Sequence, residues 1–308
     1  MSAPAVTVVG AGVVGATCAL RLAQAGATVQ VLSADPVGAT TSSVAAAIWS
    51  PYRAFPPETV DRWAATTYAV FAGLAAAGVP GVWMRAGRAL SRDGEVPAWT
   101  ATVPGARVVT STVPGVRLEV EAVVPVVDMG VYLPWLLGRG VAAGVRFETR
   151  TVTALDDVPG DVVVLAAGLR SGPFVDDATS FPVRGQVVRL ANPGLTGWWL
   201  DEGPDGLTYV VARGDDVVCG GTDDEGEWAT NVDPAVESSI LQRCRALVPA
   251  LQDATVVSRA VGLRPGRPSV RLEAVEVGGR RVVCCYGHGG AGVTLSWGCA
   301  AEAAALTL

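Results

Sequence analysis

The first 32 residues alternate apolar runs with glycine and polar positions, and this pattern predicts a strand, a turn, a helix and a second strand. Residues 5–9, AVTVV, are a short β-rich run, whereas residues 18–26, CALRLAQAG, follow helical periodicity up to a capping glycine. Residues 28–32, TVQVL, are again strand-like, and the turn before the helix reads GAGVVG. This order of elements is typical of a nucleotide-binding βαβ unit.

The rest of the chain also alternates between helical and strand patterns. Helices are predicted over residues 57–78, 131–144 and 234–249, and Pro134 fits the second of them because a first turn tolerates proline. Short Val-rich strands are predicted within residues 80–128, and further strands at 145–155, 161–172, 181–190, 207–212 and 215–222. The α/β pattern thus occurs at the start, middle and end, with two β-rich segments between, so the domains interleave in sequence.

The glycine turn has a specific physical meaning. Gly10 allows a tight turn, Gly12 lets the backbone approach a pyrophosphate, and Gly15 lets the helix pack closely on the strand. The helix N-terminus would face the phosphates, and Asp35, twenty positions after Gly15, could receive the ribose hydroxyls. The pattern predicts a dinucleotide site but does not distinguish NAD from FAD.

Composition and charge exclude several classes of function. The 308 residues include 23 basic and 29 acidic side chains and no basic run, which argues against nucleic acid or an anionic membrane as partner. No lysine is present, which excludes a Schiff-base lysine. Neither a signal peptide nor a membrane span is expected. The Ala-, Val- and Arg-rich composition hints at a GC-rich bacterial source, hence the cytoplasm.

The six cysteines show no CxxC spacing and are expected to be reduced, mostly buried thiols. Cys284 and Cys285 are adjacent, and a strand would point them to opposite faces. With one histidine in the chain, soft ligands are too few for a zinc or transition-metal site. We therefore predict no metal site. The one alternative that the composition leaves open is an ion bound by carboxylates alone.

Several longer segments together carry a family resemblance. They are VVGAGVVG at 8–15, TTSSVAAAIWSPY at 40–52, VYLPWL at 131–136, RGQVVRL at 184–190, YVVARGDDVVCGGT at 209–222, GLRPGRPSVRLE at 262–273 and YGHGGAGVTLSWGCA at 286–300. On these residues the chain resembles the FAD-dependent D-amino-acid oxidases along essentially its whole length. The last two segments, in this order, are the most specific.

The resemblance implies an α/β fold in which a Rossmann-like FAD-binding domain is interleaved with a second, substrate-binding domain built on a mixed β-sheet. Residues 1–55, 130–180 and 260–308 are assigned to the first domain, and residues 56–129 and 181–259 to the second. It further implies oxidation of a D-amino acid to an imino acid, which hydrolyses to a 2-oxo acid and ammonia, while oxygen becomes hydrogen peroxide. The partners are then a D-amino acid and oxygen, and a homodimer is left open.

The resemblance also implies roles for individual residues. Arg264 matches the arginine that binds the substrate carboxylate, Tyr209 the tyrosine that shares it, and Gly290 the glycine whose carbonyl receives the amine. A guanidinium fork suits a carboxylate because two parallel charge-assisted hydrogen bonds fix its orientation. Without the resemblance, Arg264 could equally be a solvated turn arginine, and Tyr209 an ordinary half-buried tyrosine.

For the cofactor FAD, the implied contacts fall into groups by the part of the molecule they meet. The pyrophosphate group comprises Gly10, Ala11, Gly12, Val13, Val14 and Gly15, with Thr40, Thr41 and Ser42 nearby. The isoalloxazine group comprises Ala46, Ala47, Ile48, Gly289, Gly290, Ala291, Gly292, Val293 and Thr294. Val152 is placed near the adenine and Arg271 near the pyrimidine edge of the flavin, although Arg271 could instead pair with Glu273 or an aspartate.

The chain departs from the family pattern in three places. The segment before Tyr209 is short and lacks a second tyrosine, which predicts a small or missing lid. Arg170 stands where tryptophan is common, and Ala291 replaces a larger residue. The lone His288 lies in the glycine loop, where we expect it to shape the loop rather than act as a base.

Two alternative functions stay open at this point. One is a related flavin amine oxidase acting on acidic D-amino acids, glycine or N-methyl amino acids; an acidic substrate would need a second cation, from Arg53 or Arg213. The other is a non-catalytic flavoprotein or an NAD-binding protein.

Overall fold

A computed structural model describes residues 3–203 and 206–308. In chain order its strands and longer helices are β1 (Ala5–Val9), α1 (Val13–Gln24), β2 (Thr28–Ser33), α2 (Thr41–Val44), α3 (Pro57–Ala76), β3 (Val82–Ser91), β4 (Arg107–Thr110), β5 (Leu118–Val127), α4 (Met129–Ala142), β6 (Arg146–Thr149), β7 (Val162–Leu165), β8 (Phe181–Ala191), β9 (Trp198–Gly203), β10 (Gly206–Ala212), β11 (Asp216–Gly220), β12 (Asp224–Glu225), α5 (Pro234–Leu247), β13 (Val256–Gly266), β14 (Arg271–Val277), β15 (Arg280–Tyr286) and α6 (Gly292–Thr307).

The first sheet is parallel except at one edge. Its order is β14-β15-β7-β1-β2-β6, and only the edge pair β14–β15 is antiparallel. β7 reads VVVL and is buried at every residue, because layers cover both faces of the sheet. Helices α1 and α6 pack on one face, where Cys18, Leu22 and Leu295 share a core cluster with the strand valines.

The second sheet is mixed, as the resemblance implied. Its order is β12-β8-β11-β10-β9-β3-β5-β4, and β13 also pairs with β8. The β3–β9 pair is parallel, whereas the other pairs of this sheet are antiparallel. Helix α5 covers one face and buries Ile240 and Cys244 completely. The α/β fold with a mixed second sheet is therefore confirmed.

The strands of the two sheets come from the segments that the sequence assigned to two domains, with one difference. All strands of the first sheet lie within residues 1–55, 130–180 and 260–308. β13, in contrast, runs through the predicted boundary at residue 260, because its whole length is hydrogen-bonded to β8. The division into an FAD-binding and a substrate-binding domain stays a prediction.

Two predicted strands are too long, and helices α2 and α6 and strands β9 and β12 to β15 were not predicted. Strand 145–155 is reduced to β6, and strand 161–172 to β7, because the chain turns at the carboxyl end of the sheet; Gly168 there has a φ of +58°. Helix α6 is buried along most of its length and lacks a strong polar face. A buried helix shows little amphipathic periodicity, which is why the pattern missed it.

The other predictions on the chain hold in outline. All six cysteines are free and buried, and Cys284 and Cys285 lie in different core clusters on opposite faces of β15. β9 and β10 pair directly from Gly203 and Gly206, which confirms the short connection before Tyr209; residues 204–205 lie outside the described part. Within residues 3–203 and 206–308, no helix is long and apolar enough to cross a membrane.

Candidate active site

The glycine turn after β1 places the start of α1 at the carboxyl edge of the first sheet. Gly10 has a φ of +112°, which favours glycine, and its N–H donates to Leu32 O at 2.8 Å. A β-carbon on Gly15 would overlap the carbonyl of Gly10, so the close approach of helix and turn requires glycine there. The roles of these two glycines thus follow from the geometry, and the pyrophosphate contact at Gly12 stays a prediction.

Of the three hydroxyl residues predicted near the pyrophosphate, one reaches this helix start. Ser42 Oγ accepts from the backbone N–H of Val13 at 3.0 Å. Thr41 Oγ1 donates to Leu263 O on β13 at 3.1 Å, and Thr40 Oγ1 to Val37 O. Ser42 is therefore the one of the three hydroxyls that lies at the N-terminus of α1, and its contact with the pyrophosphate stays a prediction.

A second helix start converges on the same place. The segment after β15 forms the glycine loop, residues 287–291, and α6 begins at Gly292. A β-carbon on Gly292 would lie 4.0 Å from Val14 Cγ2 of α1. Thr294 is tied to Ser50, whose N–H donates to Thr294 Oγ1 at 3.0 Å while that hydroxyl donates back to Ser50 O at 2.9 Å. Residues predicted to contact the pyrophosphate, on α1, therefore lie beside residues predicted to contact the isoalloxazine ring, on α6.

The predicted residues 46–48 form a bridge to the second sheet. Ala47 O accepts from Val127 N–H at 2.9 Å, and Ile48 pairs with Val126 of β5. Ala47 has a φ of +54° without being glycine, a conformation that marks constrained backbone. This segment lies between the two sheets, where a cofactor bound to the first would face the second.

Arg264 and Tyr209 are brought together on the second sheet. Arg264 lies on β13 and Tyr209 on β10, and the Arg264 guanidinium is close enough to the Tyr209 hydroxyl that its charge lowers the pKa of the phenol. Arg264 Nη1 also donates to Thr222 O at 2.8 Å, which fixes one side of the fork. Burial raises the pKa of Tyr209, although the adjacent Arg264 opposes this, so the phenol stays protonated.

Space for this pair is made by glycines on neighbouring strands. A β-carbon on Gly185 of β8 would lie 2.5 Å from Arg264 Nη2, and one on Gly220 would overlap the Tyr209 ring. The guanidinium and the phenol therefore lie directly over backbone. Sequence reasoning did not single out these glycines, although both lie in the segments that carry the resemblance.

Gly290 is the third predicted substrate residue. It lies near Arg264 because a backbone hydrogen bond joins the residue before Gly290 to the residue after Arg264 on β13. Pro265 O accepts from Gly289 N–H at 2.8 Å. Gly289 has a φ of +54°, and a β-carbon on it would overlap Arg53 O. Tyr52 covers Gly290, since a β-carbon there would lie 2.6 Å from Tyr52 Cδ1. Tyr209, Arg264 and Gly290 thus border one region between the sheets.

Two peripheral predictions have a less direct outcome. Asp35 forms an ion pair with Arg170 at 2.9 Å, so its carboxylate has a partner of its own, and ribose binding stays a prediction. Val152 follows β6 at the carboxyl edge of the sheet, packed against the cluster of Val9 and Leu32, and its adenine contact also stays a prediction. Both lie at the edge where the carboxyl ends of β1, β2, β6 and β7 meet.

Arg271 takes part in a polar cluster within the protein. Its Nε donates to Glu273 at 2.8 Å, and Nη1 donates to the Tyr286 hydroxyl at 2.9 Å and lies 3.3 Å from Asp177. Although burial opposes it, hydrogen bonds from Thr179 and Tyr286 lower the pKa of Asp177. The alternative pairing with Glu273 and an aspartate is therefore the one observed, and a flavin contact of Arg271 stays a prediction.

His288 is almost fully buried in the glycine loop. Its Nε2 has no hydrogen-bond partner among the residues that the structure describes, and its carbonyl accepts from Ala291 N–H at 2.9 Å. Burial lowers the pKa of the imidazole from 6.5 to about 4. The side chain is neutral at physiological pH, which agrees with a role in shaping the loop.

The buried imidazole predicts a specific pH dependence of stability. The unfolded chain takes up a proton at His288 as the pH falls through 6.5, whereas the folded protein does so only near 4. The stability contributed by the neutral form is present above pH 6.5 and is lost as the pH falls towards 4. Relative to the His288→Asn variant, wild type should lose about 2–3 kcal/mol of unfolding free energy between pH 7.5 and 4.5. Denaturant unfolding of both proteins at each pH measures this; a difference independent of pH would contradict it.

The site has the features needed to hold FAD. Two helix N-termini converge, which suits a pyrophosphate, and Gly12 leaves open backbone there, since a β-carbon would meet only Ser42 Oγ at 3.1 Å. The glycine loop and residues 46–48 supply backbone groups between the sheets. His288 Nε2 is a buried polar atom without a partner beside this loop. No group of three or more His, Cys, Asp and Glu side chains among the described residues is arranged to hold a metal ion.

Comparisons with known proteins agree with this geometry. The family model described as FAD dependent oxidoreductase matches residues 5–306. The D-amino-acid oxidase of Rubrobacter xylanophilus is 48% identical, over 97% of this chain and 94% of that protein. Human D-aspartate oxidase is 36% identical, over 99% and 95% of the two chains.

The fold is shared more widely than the sequence. The crystal structure of glycine oxidase from Bacillus cereus matches with a TM-score of 0.80 at 20% identity, over 98% of this chain and 94% of that chain. This likeness concerns the fold alone, whereas the family model and the 48% identical relative each cover nearly the whole chain. The chain belongs to the family of FAD dependent oxidoreductases that includes the D-amino-acid oxidases.

Proposed function

We propose that this flavoenzyme oxidises D-amino acids to 2-oxo acids and ammonia, with oxygen reduced to hydrogen peroxide. The observation that carries the proposal is the proximity of the Arg264 guanidinium to the Tyr209 phenol, packed over Gly185 and Gly220, with the next residue of β13, Pro265, hydrogen-bonded to the glycine loop. A guanidinium and a neutral phenol over bare backbone form a site for a small carboxylate. The relatives named D-amino-acid oxidase and D-aspartate oxidase support the same reaction class.

The chain's own residues bind and orient the substrate. Arg264 receives the carboxylate through charge-assisted hydrogen bonds, and Tyr209 donates its hydroxyl to the same group. The carbonyl of Gly290 accepts a hydrogen bond from the amine, which must be neutral for the reaction. With both groups held and the side chain in the remaining space, only one face of the α-carbon is presented, which selects D over L.

No side-chain base at the α-carbon is required. His288, the only imidazole of the chain, is buried and neutral, and burial holds the pKa of the Tyr209 phenol above its ordinary value. When bound along the glycine loop, FAD would supply the hydride acceptor and the transfer of electrons to oxygen. The protein's part is therefore orientation and exclusion of water between the two sheets.

The alternative function, oxidation of acidic D-amino acids, requires a second cationic side chain that is free to bind the second carboxylate of the substrate. Arg213 is almost completely buried and donates to Asp216 at 2.6 and 2.8 Å, with Asp128 at 3.5 Å, so it is committed to the core. Arg53 is ion-paired with Asp223 and Glu225. These contacts favour a neutral substrate side chain over D-aspartate, although a D-aspartate oxidase is among the relatives.

A panel of amino acids tests the function. The purified protein should be yellow, release peroxide with D-alanine, D-valine or D-phenylalanine, and be inactive with the L-enantiomers. Anaerobic addition of a D-amino acid should bleach the flavin. Peroxide from glycine but not from larger D-amino acids would favour a glycine oxidase. A colourless protein that does not take up FAD would refute the proposal and favour a non-catalytic or NAD-binding protein.

Location and assembly complete the proposal. We place the enzyme in the cytoplasm of a bacterium, in agreement with the bacterial relative and with the finding on membrane helices among the described residues. A homodimer is proposed on the resemblance alone, and size-exclusion chromatography with light scattering tests it.

A further inference from the structure

An ion-paired cluster joins the loop after Ser50 to the segment that follows β11. Arg53 Nη2 lies 2.6 Å from Asp223 Oδ2, and Arg53 Nη1 lies 3.2 Å from Glu225 Oε2. The Tyr52 hydroxyl donates to the same Asp223 oxygen at 2.9 Å and accepts from Arg53 Nε at 3.2 Å. We call Tyr52, Arg53, Asp223 and Glu225 the Arg53 cluster.

The Arg53 cluster borders the substrate groups on two sides. Asp223 directly follows Thr222, whose carbonyl accepts from Arg264. Tyr52 lies against Gly290, and Arg53 O lies against Gly289. The cluster therefore adjoins both the residue proposed for the carboxylate and the residue proposed for the amine, so it borders the proposed substrate site.

Negative charge exceeds positive charge at this position. Besides Asp223 and Glu225, Glu202 on β9 is close enough that burial and the charge of Asp223 together raise its pKa. One guanidinium thus faces three carboxylates. The Arg53 and Asp223 side chains are each 36% exposed, so a bound substrate side chain can reach them.

We propose that the Arg53 cluster sets the substrate class, by engaging Arg53 with its own carboxylates and thereby excluding acidic D-amino acids while accepting neutral ones. This inference rests on the proposed function. An acidic side chain would have to displace Asp223 and Glu225 from Arg53 and lie beside them, and like charges at such distances are repelled in a partly buried site. A neutral side chain needs no such displacement.

The decisive test frees the guanidinium. In the Asp223→Asn, Glu225→Gln double variant, Arg53 loses both ionic partners and becomes available to a second carboxylate. The ratio of kcat/KM for D-glutamate to that for D-alanine should rise by about tenfold or more, the size of a charge-assisted hydrogen bond. Adding Arg53→Leu to the double variant should abolish the gain, since no cation is left to bind the side chain.

A matched control separates this effect from a general change of surface charge. Glu121 pairs with Arg107 in an exposed contact on β4 and β5, away from the site, and Glu121→Gln should leave the ratio unchanged. FAD absorbance and thermal unfolding verify that each variant is folded. A double variant whose ratio does not rise, or a rise that persists with Arg53→Leu, would overturn the inference.

Wild type provides a second measurement that needs no variant. Succinate and butyrate have the same chain length and differ by one carboxylate, so succinate should inhibit D-alanine oxidation at least about tenfold more weakly. Equal inhibition would contradict the inference. If wild type oxidises no D-amino acid at all, it is the proposed function that fails, which the panel of amino acids shows independently.

Discussion

Replacing Arg264 with alanine is expected to lower kcat/KM for D-amino acids by about a hundredfold or more while FAD stays bound. The guanidinium offers charge-assisted donors to the substrate carboxylate, and losing a desolvated contact of this kind costs about 3 kcal/mol. Tyr209 alone cannot compensate, because a neutral phenol supplies one hydrogen bond without the charge. Steady-state kinetics with D-alanine, together with the flavin spectrum, measures both parts of the prediction.

Gly185→Ala should reproduce much of this loss with the arginine still present. The new methyl group would lie 2.5 to 2.6 Å from the Arg264 guanidinium, which can move aside because it ends a flexible side chain. The protein should therefore fold and bind FAD, but hold Arg264 away from the carboxylate. Gly138→Ala on α4 is the matched control, because a β-carbon there contacts nothing within 4 Å.

These two variants distinguish the carboxylate site from a structural role of Arg264. Unchanged kinetics in Arg264→Ala would remove Arg264 from the substrate site. Loss of FAD together with loss of activity would show instead that Arg264 supports the fold. For Gly185→Ala, a KM like that of Gly138→Ala would show that the close packing of glycine and guanidinium is not needed for substrate binding.

Gly10→Ala and Gly12→Ala should separate folding from cofactor binding at the same turn. At Gly10 an alanine would adopt a φ of +112° and overlap the carbonyl of Ala166, with Ala167 Cα at 2.9 Å. The backbone that follows the neighbouring strand β7 cannot move aside, so we expect about 2–5 kcal/mol of destabilisation. An alanine at Gly12 would meet neither a positive φ nor neighbouring backbone. Its β-carbon would have the side-chain oxygen of Ser42 as nearest neighbour, at 3.1 Å.

Gly12→Ala should therefore leave the apoprotein within about 1 kcal/mol of wild type, yet weaken FAD binding by about tenfold or more, since its methyl group occupies the helix start where a phosphate would approach. Thermal unfolding of the apoproteins and FAD titration measure the two quantities, with Gly73→Ala on α3 as the control that contacts nothing within 4 Å. Normal FAD affinity in Gly12→Ala would place the pyrophosphate elsewhere, and a stable Gly10→Ala apoprotein would contradict the packing argument.

Much of the fold can be predicted from local patterns. The first βαβ unit, helices α3 and α5 and strands β8, β10 and β11 of the second sheet lie close to the predicted positions, because alternation and helical periodicity survive wherever one face is buried. Helix α6 could not be found in this way, because it is buried along most of its length. The ends of β6 and β7 were misplaced because apolar residues continue beyond the last strand hydrogen bond.

The residues of the candidate site could not be placed together from the sequence, for a different reason. Arg264, Tyr209 and Gly290 were assigned through the family resemblance, and chain order alone would not have placed them together. Their common location depends on β13 pairing with β8 and on the Pro265–Gly289 bond. Asp223 and Gly185 went unrecognised, since nothing local distinguishes an acidic residue after a strand, or a glycine within one, from many others.

The sequence by itself determined the glycine turn of the first βαβ unit and the free buried thiols, because each depends on residue type and near neighbours. Only the tertiary structure decided which side chains are already engaged. Arg213 proved to be a core ion pair, Arg271 part of a cluster with Asp177, and Arg53 a partner of Asp223, 170 residues away in the chain. A charge is available to a ligand only if no neighbour holds it, and its neighbours are set by strand pairings between residues far apart in sequence.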